Sequence, residues 1–289
     1  MSGFRIKPHG EKPASNRAED RIKGKSNMTL KREVIFVIDG SGSMGDKATD
    51  VRGGFNTYVE ELKKDPNAKD YTISATVFNT GVFPLFTQRS LDEAPLLTEK
   101  NYMPGGGTAL YDAIADTVDK IKDAKINFCG TCGKKRGNEA HFCATCGDKL
   151  TNGDTSAFTV IIMTDGEENS SQRFRKHHIV NKIQGKEKLG NWTFVYMGAN
   201  QDAMVEGAAL GVQRGNSIHY TTHDTKTYYS KLAAGTIGSY NYMASTNTTS
   251  TPSFSGISGQ DWNDPTTGGT PVVTTVTAST TVSKKKKNA

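Results

Sequence analysis

The chain has 289 residues, 35% of them hydrophobic, and carries a formal net charge of +6. This length suits one large domain or two small ones, and the low apolar share predicts that part of the chain lies outside any packed core. No run approaches the roughly 18 apolar residues of a membrane span, and no apolar leader follows Met1, so neither a spanning helix nor signal-directed export is expected.

In chain order, residues 1–32 hold nine Lys/Arg against three acids and read as a basic, flexible arm. Val34-Ile35-Phe36-Val37-Ile38 is a continuous run of β-branched and aromatic residues, the pattern of a strand buried on both faces. Its C-terminal end hands the chain to Asp39-Gly40-Ser41-Gly42-Ser43, and ligand sites of open α/β folds lie at such strand ends. Asp46 is placed to cap a helix whose apolar stripe is Val51, Phe55, Tyr58, Val59 and Leu62, ending before Pro66. Tyr71 to Phe78 and Val82 to Phe86 flank Asn79-Thr80-Gly81, a hairpin signal that predicts one antiparallel edge strand. Gly105-Gly106-Gly107-Thr108 then precedes a helical pattern of Leu110, Ala113, Ile114, Thr117, Val118 and Ile121.

Further along, the strand-like Phe158 to Met163 leads into Thr164-Asp165-Gly166. Glu167 and Glu168 read as exposed loop carboxylates, and Arg173 to His178 as the solvated face of a helix. Asn191 to Met197 is a further central strand, Ala203, Gly207 and Leu210 a small-residue helix face, and Ser217 to Tyr220 a short edge strand. Tyr228, Lys231, Leu232, Ala234, Ile237 and Tyr240 fit a last helix, weakened by Gly235 and Gly238. From Ser245 to Ser283 roughly half the residues are Ser or Thr, which reads as a flexible tail before Lys284 to Lys287.

Three loops at strand ends thus offer oxygens to one divalent cation. Together they resemble the metal-ion-dependent adhesion site of von Willebrand factor A domains, whose pattern is D-x-S-x-S, then a distant Thr, then a distant Asp. The resemblance covers roughly residues 33–220 and fills all five ligand positions. It implies that Ser41, Ser43 and Thr108 bind the metal through their hydroxyls, with Asp39 and Asp165 acting directly or through water. It also implies the fold class: a Rossmann-like, doubly wound, mainly parallel sheet with one antiparallel edge strand, flanked by helices. Neutral hydroxyls donate little charge, so an Mg²⁺ ion (or Mn²⁺ or Ca²⁺) held this way stays electrophilic toward a carboxylate supplied by another protein.

Enzyme signatures fail at named positions. A haloacid-dehalogenase phosphatase needs an acid two residues after its first Asp, where Ser41 stands; a P-loop needs Gly-Lys-Ser/Thr, whereas Gly107 is followed by Thr108-Ala109. Gly40, Gly42 and Gly45 have the wrong spacing for a dinucleotide fingerprint. A non-catalytic role is expected.

Phe128-Cys129-Gly130-Thr131-Cys132-Gly133 recurs almost unchanged as Phe142-Cys143-Ala144-Thr145-Cys146-Gly147. Cys129, Cys132, Cys143 and Cys146 form two C-x-x-C knuckles suited to a closed, tetrahedral Zn²⁺ site, and the segment resembles a zinc ribbon. Disulfides or a redox pair are the alternative reading of the four cysteines. The expected organisation is an arm (1–32), an A domain (33–244) interrupted by the zinc-ribbon-like insertion (126–150), and a tail (245–289). Because the first part of the insertion follows a helix running away from Thr108, the ribbon is expected on the face opposite the adhesion site.

The partner implied is a protein with an acidic side chain, with a second partner at the ribbon face and nucleic acid as a further option, since the basicity lies in the two ends. Free-thiol usage favours a cytoplasmic setting, or a virion assembled inside a cell. The alternative function is a structural or assembly protein, possibly of a virus or phage, whose extended ends bind neighbouring subunits.

Overall fold

β1 (Lys31–Asp39) is buried from Arg32 to Asp39 and lies at the centre of the sheet, hydrogen-bonded in parallel to neighbours on both sides. The computed structural model describes residues 30–121, 145–147, 156–189, 191–199, 203–220 and 225–246. In chain order β1 is followed by α1 (Ala48–Lys63), β2 (Tyr71–Phe78), β3 (Val82–Ser90), α2 (Leu110–Lys120) and β4 (Ser156–Thr164). α3 (Lys176–Glu187), β5 (Trp192–Ala199), α4 (Ala203–Ala209), β6 (Ser217–Tyr220) and α5 (Thr225–Thr246) complete the unit. The six strands run in the order β3-β2-β1-β4-β5-β6. All pairs are parallel except β2 with the edge strand β3, the arrangement expected from the hairpin signal.

Period-two alternation sends the side chains of β1 into two cores. Val34, Phe36 and Ile38 pack with α1 and α5, while Ile35 and Val37 pack with α2 and α3. Phe36 meets Phe55 and Tyr58 edge-on, each ring centroid 5.0 Å away. The stripe Val51, Phe55, Tyr58, Val59 and Leu62 is wholly buried, as its spacing requires. Gly54 is the one place on α1 where a side chain would not fit, because a Cβ there would stand 2.2 Å from the Tyr229 ring of α5. The close approach of these two helices therefore depends on glycine.

Two local expectations are corrected. Asp46 does not cap α1: residues Gly42–Lys47 form a 3₁₀ turn that runs directly into the helix, with Lys47 at the cap position. In α5 the buried stripe is Tyr229, Leu232, Ala233, Thr236 and Tyr240, whereas Ala234 is exposed. The reason is polar: Thr236 is fully buried because its hydroxyl bonds Tyr58 Oη at 2.9 Å and the Leu232 carbonyl at 3.0 Å, which rotates the inward face. Gly235 and Gly238 do not interrupt the helix, since tertiary packing outweighs their propensity.

The sheet begins at Lys31 and α5 continues to Thr246, so the folded elements extend slightly beyond 33–244 at both ends. The arm, most of the tail, and Cys129, Cys132 and Cys143 lie outside the described residues. Cys146 is described, exposed in a short turn. Among the described residues, no helix is long and apolar enough to cross a membrane.

Candidate metal centre

The strand order reverses direction at β1 and β4: the chain leaves β1 toward β2 on one side and later returns to β4 on the other. Such a switch point opens a crevice at the C-terminal strand ends. Asp39 ends β1 and Asp165 follows β4, so both carboxylates reach this crevice.

The first loop is locked by its backbone. Gly40 N donates to the Phe78 carbonyl at 2.6 Å, and the Tyr102 hydroxyl donates to the Asp39 carbonyl at 2.6 Å. It is stitched to the second loop through Gly42 N to the Gly106 carbonyl at 3.0 Å and Gly105 N to the Gly40 carbonyl at 2.8 Å. Gly106 adopts φ +83°, a left-handed conformation that side chains disfavour, and this turns its carbonyl toward Gly42.

Thr108 is held from the other direction. Its N–H donates to Asn169 Oδ1 at 2.8 Å, and its carbonyl accepts from Asn169 N and Ser170 N at 3.1 and 3.2 Å. Glu168 is not a free surface acid. Its carboxylate accepts from Ser170 N (2.8 Å), Ser171 N (2.6 Å), Ser171 Oγ (2.7 Å) and Tyr111 N (2.9 Å), tying the third loop to the start of α2. Asp112 adds a second tie by accepting from the backbone of Gln172, Arg173 and Phe174. Burial works against its charge, yet those N–H groups and the Arg173 guanidinium hold the Asp112 carboxyl below its ordinary range. Arg173 in turn makes a bidentate pair with Asp116, at 2.9 and 2.8 Å.

At the centre, Asp39 is fully buried; Oδ1 accepts from Ser41 N at 2.7 Å and Oδ2 from Thr164 Oγ1 at 2.6 Å. Burial pushes its carboxyl above the usual range, against the opposing bonds from Thr164 and Ser41. Ser43 Oγ donates to Asp165 Oδ1 at 2.6 Å. That commitment makes Ser41 the donor in the Ser41–Ser43 hydroxyl contact at 3.1 Å. Both serine protons thus point at protein oxygens, and each hydroxyl keeps at least one lone pair.

Asp39, Ser41, Ser43, Thr108 and Asp165 are brought together. A Cβ on Gly166 would stand 3.5 Å from Ser43 Oγ and 3.7 Å from Thr108 Oγ1, so the two hydroxyls border the same small space. Adjacent ligands of an octahedral Mg²⁺ at 2.0–2.1 Å lie about 3 Å apart, and Ser41 Oγ and Ser43 Oγ are separated by that much. Among the described residues no three His, Cys, Asp or Glu side chains gather to hold a metal; the donors here are hydroxyls flanked by two carboxylates. This all-oxygen set suits a hard cation and not a soft one.

Two residues of the site escaped the sequence reading. Thr164 was visible as part of the third loop, but its bond to Asp39 crosses two neighbouring strands. Lys47 places Nζ 2.5 Å from Asp165 Oδ2 and 3.0 Å from the Ser43 carbonyl. The sequence carried no signal for it, since its reach to Asp165 depends on the 3₁₀ turn of Gly42–Lys47 and on a loop far along the chain.

No protein-family profile matches the sequence, and no curated protein matches it. Among solved structures, the chain is similar to proximal thread matrix protein 1 from the mussel byssus, with 14% identity over 71% of this chain and 47% of that one, and a TM-score of 0.47. A von Willebrand factor type A structure from Catenulispora acidiphila shares 15% identity over 73% of this chain and 43% of that one, with a TM-score of 0.43. Manganese-loaded TRAP protein from Plasmodium vivax shares 16% identity over 68% and 71% of the two chains, with a TM-score of 0.44. The chain thus spans less than half the length of the first two.

Proposed function

We propose that this chain is a von Willebrand factor A-type binding module that captures an acidic side chain of another protein through a divalent cation, without catalysis. Ser41, Ser43 and Thr108 would hold Mg²⁺ or Mn²⁺ by their hydroxyls, with Asp39 and Asp165 orienting them. When bound, the ion supplies a Lewis-acidic position for a carboxylate oxygen. The observation that carries this reading is the hydrogen-bond polarity of the rim: Ser43 donates to Asp165 and Ser41 to Ser43, so oxygen lone pairs and not protons remain for a cation.

The chain's own residues account for the rest. Asp39 and Thr164 fix the first loop against β4, and Asn169 fixes Thr108. Keeping carboxylates behind hydroxyls limits the negative charge touching the ion, which preserves its pull on an incoming anion. Cys129, Cys132, Cys143 and Cys146 are proposed to hold a structural Zn²⁺.

The test is a pull-down with wild-type and Ser41→Ala/Ser43→Ala bait, Mg²⁺ present throughout. Prey captured by the wild type alone, and released by chelator, supports the proposal. Prey bound equally by both baits and resistant to chelator would overturn it and favour assembly through the tails.

A further inference from the structure

Lys47 is the side chain at the rim that the metal-binding reading does not use. It lies on the last residue of the 3₁₀ turn, four positions after Ser43, and its ammonium contacts both the carboxylate of Asp165 and the carbonyl of Ser43. The pair is well sheltered, with side-chain exposures of 12% for Lys47 and 3% for Asp165. Screening by solvent is correspondingly weak there. The same Asp165 that receives Ser43's proton on Oδ1 therefore has its Oδ2 neutralised by a protein cation.

Resting on the proposed function, we infer that Lys47 sets the strength of the metal site: it is a built-in cation that offsets Asp165, weakening divalent-ion binding while holding the rim together before the ion arrives. A donor set of two carboxylates and one ammonium carries one negative charge, whereas the carboxylates alone carry two. A divalent ion is attracted less by the first set, and it meets a like charge a few ångströms away. The same partial neutralisation leaves the bound ion less compensated, which favours a partner's carboxylate. Lys47 exchanges affinity for the ion against affinity for the acid.

The experiment is calorimetric titration with Mn²⁺ of the zinc-loaded full chain, in wild type, Lys47→Met, Lys47→Arg and Ser41→Ala/Ser43→Ala, with thermal melts in chelator alongside. Mn²⁺ is chosen because cysteine sites prefer zinc. The inference predicts about tenfold tighter Mn²⁺ binding in Lys47→Met, wild-type affinity in Lys47→Arg, and a Tm in chelator that falls for Lys47→Met but recovers when Mn²⁺ is added. A lysine that merely supported the loop would give the opposite sign, with weaker binding on its removal. Unchanged or weaker Mn²⁺ binding in Lys47→Met, with a wild type that binds and a double-serine variant that does not, overturns the role of Lys47 and leaves the metal site standing. A wild type that takes up no Mn²⁺ overturns both.

Discussion

Two aspartates with sheltered side chains sit at opposite ends of the same sheet, each paired with a cation, and the fold treats them differently. At the strand starts, Asp65 accepts four hydrogen bonds: Asn67 N and Nδ2 on Oδ1, Tyr71 Oη and Arg32 on Oδ2. The Arg32 guanidinium is flanked by the rings of Tyr71 and Tyr240, at 5.1 and 5.6 Å, and the Arg32 and Asp65 side chains are only 4% and 1% exposed. Every oxygen of that carboxylate is answered from within. At the strand ends, Asp165 is answered by Ser43 and Lys47, but the Ser43 hydroxyl keeps a lone pair beside Thr108. A carboxylate answered on both oxygens fastens a fold, even with Arg32 Nε left without a partner; hydroxyls that keep lone pairs around one small space are arranged for something else to arrive.

The largest expected difference between the two ends is in stability. Asp65→Ala strands the Arg32 charge in the interior and should cost about 3–5 kcal/mol in urea unfolding, whereas Ser41→Ala/Ser43→Ala should stay within about 1 kcal/mol of wild type. Equal losses would erase the contrast. Next, saturating Mn²⁺ at about 100 times its dissociation constant should stabilise the wild type by about 2.7 kcal/mol, and chelator should reverse this; Asp65→Asn, if folded, should retain the gain. Thr164→Val removes the hydroxyl donor to buried Asp39 and should cost about 1–3 kcal/mol, while weakening Mn²⁺ binding about 10–100-fold. Unfolding curves and the Mn²⁺ titration read these separately.

The smallest effect is a pH dependence away from both ends. Burial raises the Glu187 carboxyl to about 7, against bonds from Phe194 N and Gln213. A folded-state value above the unfolded 4.5 means the folded chain binds the proton more tightly. Its stabilising contribution is present below pH 4.5 and is lost as pH rises through about 7. Glu187→Gln should therefore gain stability relative to wild type at pH 8 and not at pH 4, by about 1 kcal/mol once partial exposure is discounted. Melts at the two pH values decide this.

Much of the fold was legible because the sheet's centre is buried on both faces. Val34 to Ile38 and Phe158 to Met163 needed no partner information to read as strands, and the α1 stripe had one consistent phase. That Asp39, Ser41, Ser43, Thr108 and Asp165 come together was legible for a different reason: Asp39 to Ser43 and Asp165 stand at the ends of such strands, and Gly105 to Thr108 stand just before α2. What escaped was tertiary. The inward face of α5 is chosen by Thr236 bonding Tyr58, which no apolar count reveals. Glu168 looked like an exposed acid, yet it fastens α2 to the third loop across 57 residues of sequence. Lys47 and Thr164 matter through partners far along the chain, over separations of 118 and 125 residues.

The central claim is that hydroxyls from separate loops hold a cation with room for an outside carboxylate. Solvent-proton relaxation of the Mn²⁺-loaded, zinc-replete chain tests it most directly, because only metal-bound, exchangeable water enhances the relaxation. The account predicts a strong enhancement in the wild type that falls as acetate is added, and none beyond free Mn²⁺ in Thr108→Ala with an unchanged circular dichroism spectrum. An enhancement that acetate leaves untouched, or one that survives Thr108→Ala, would contradict it.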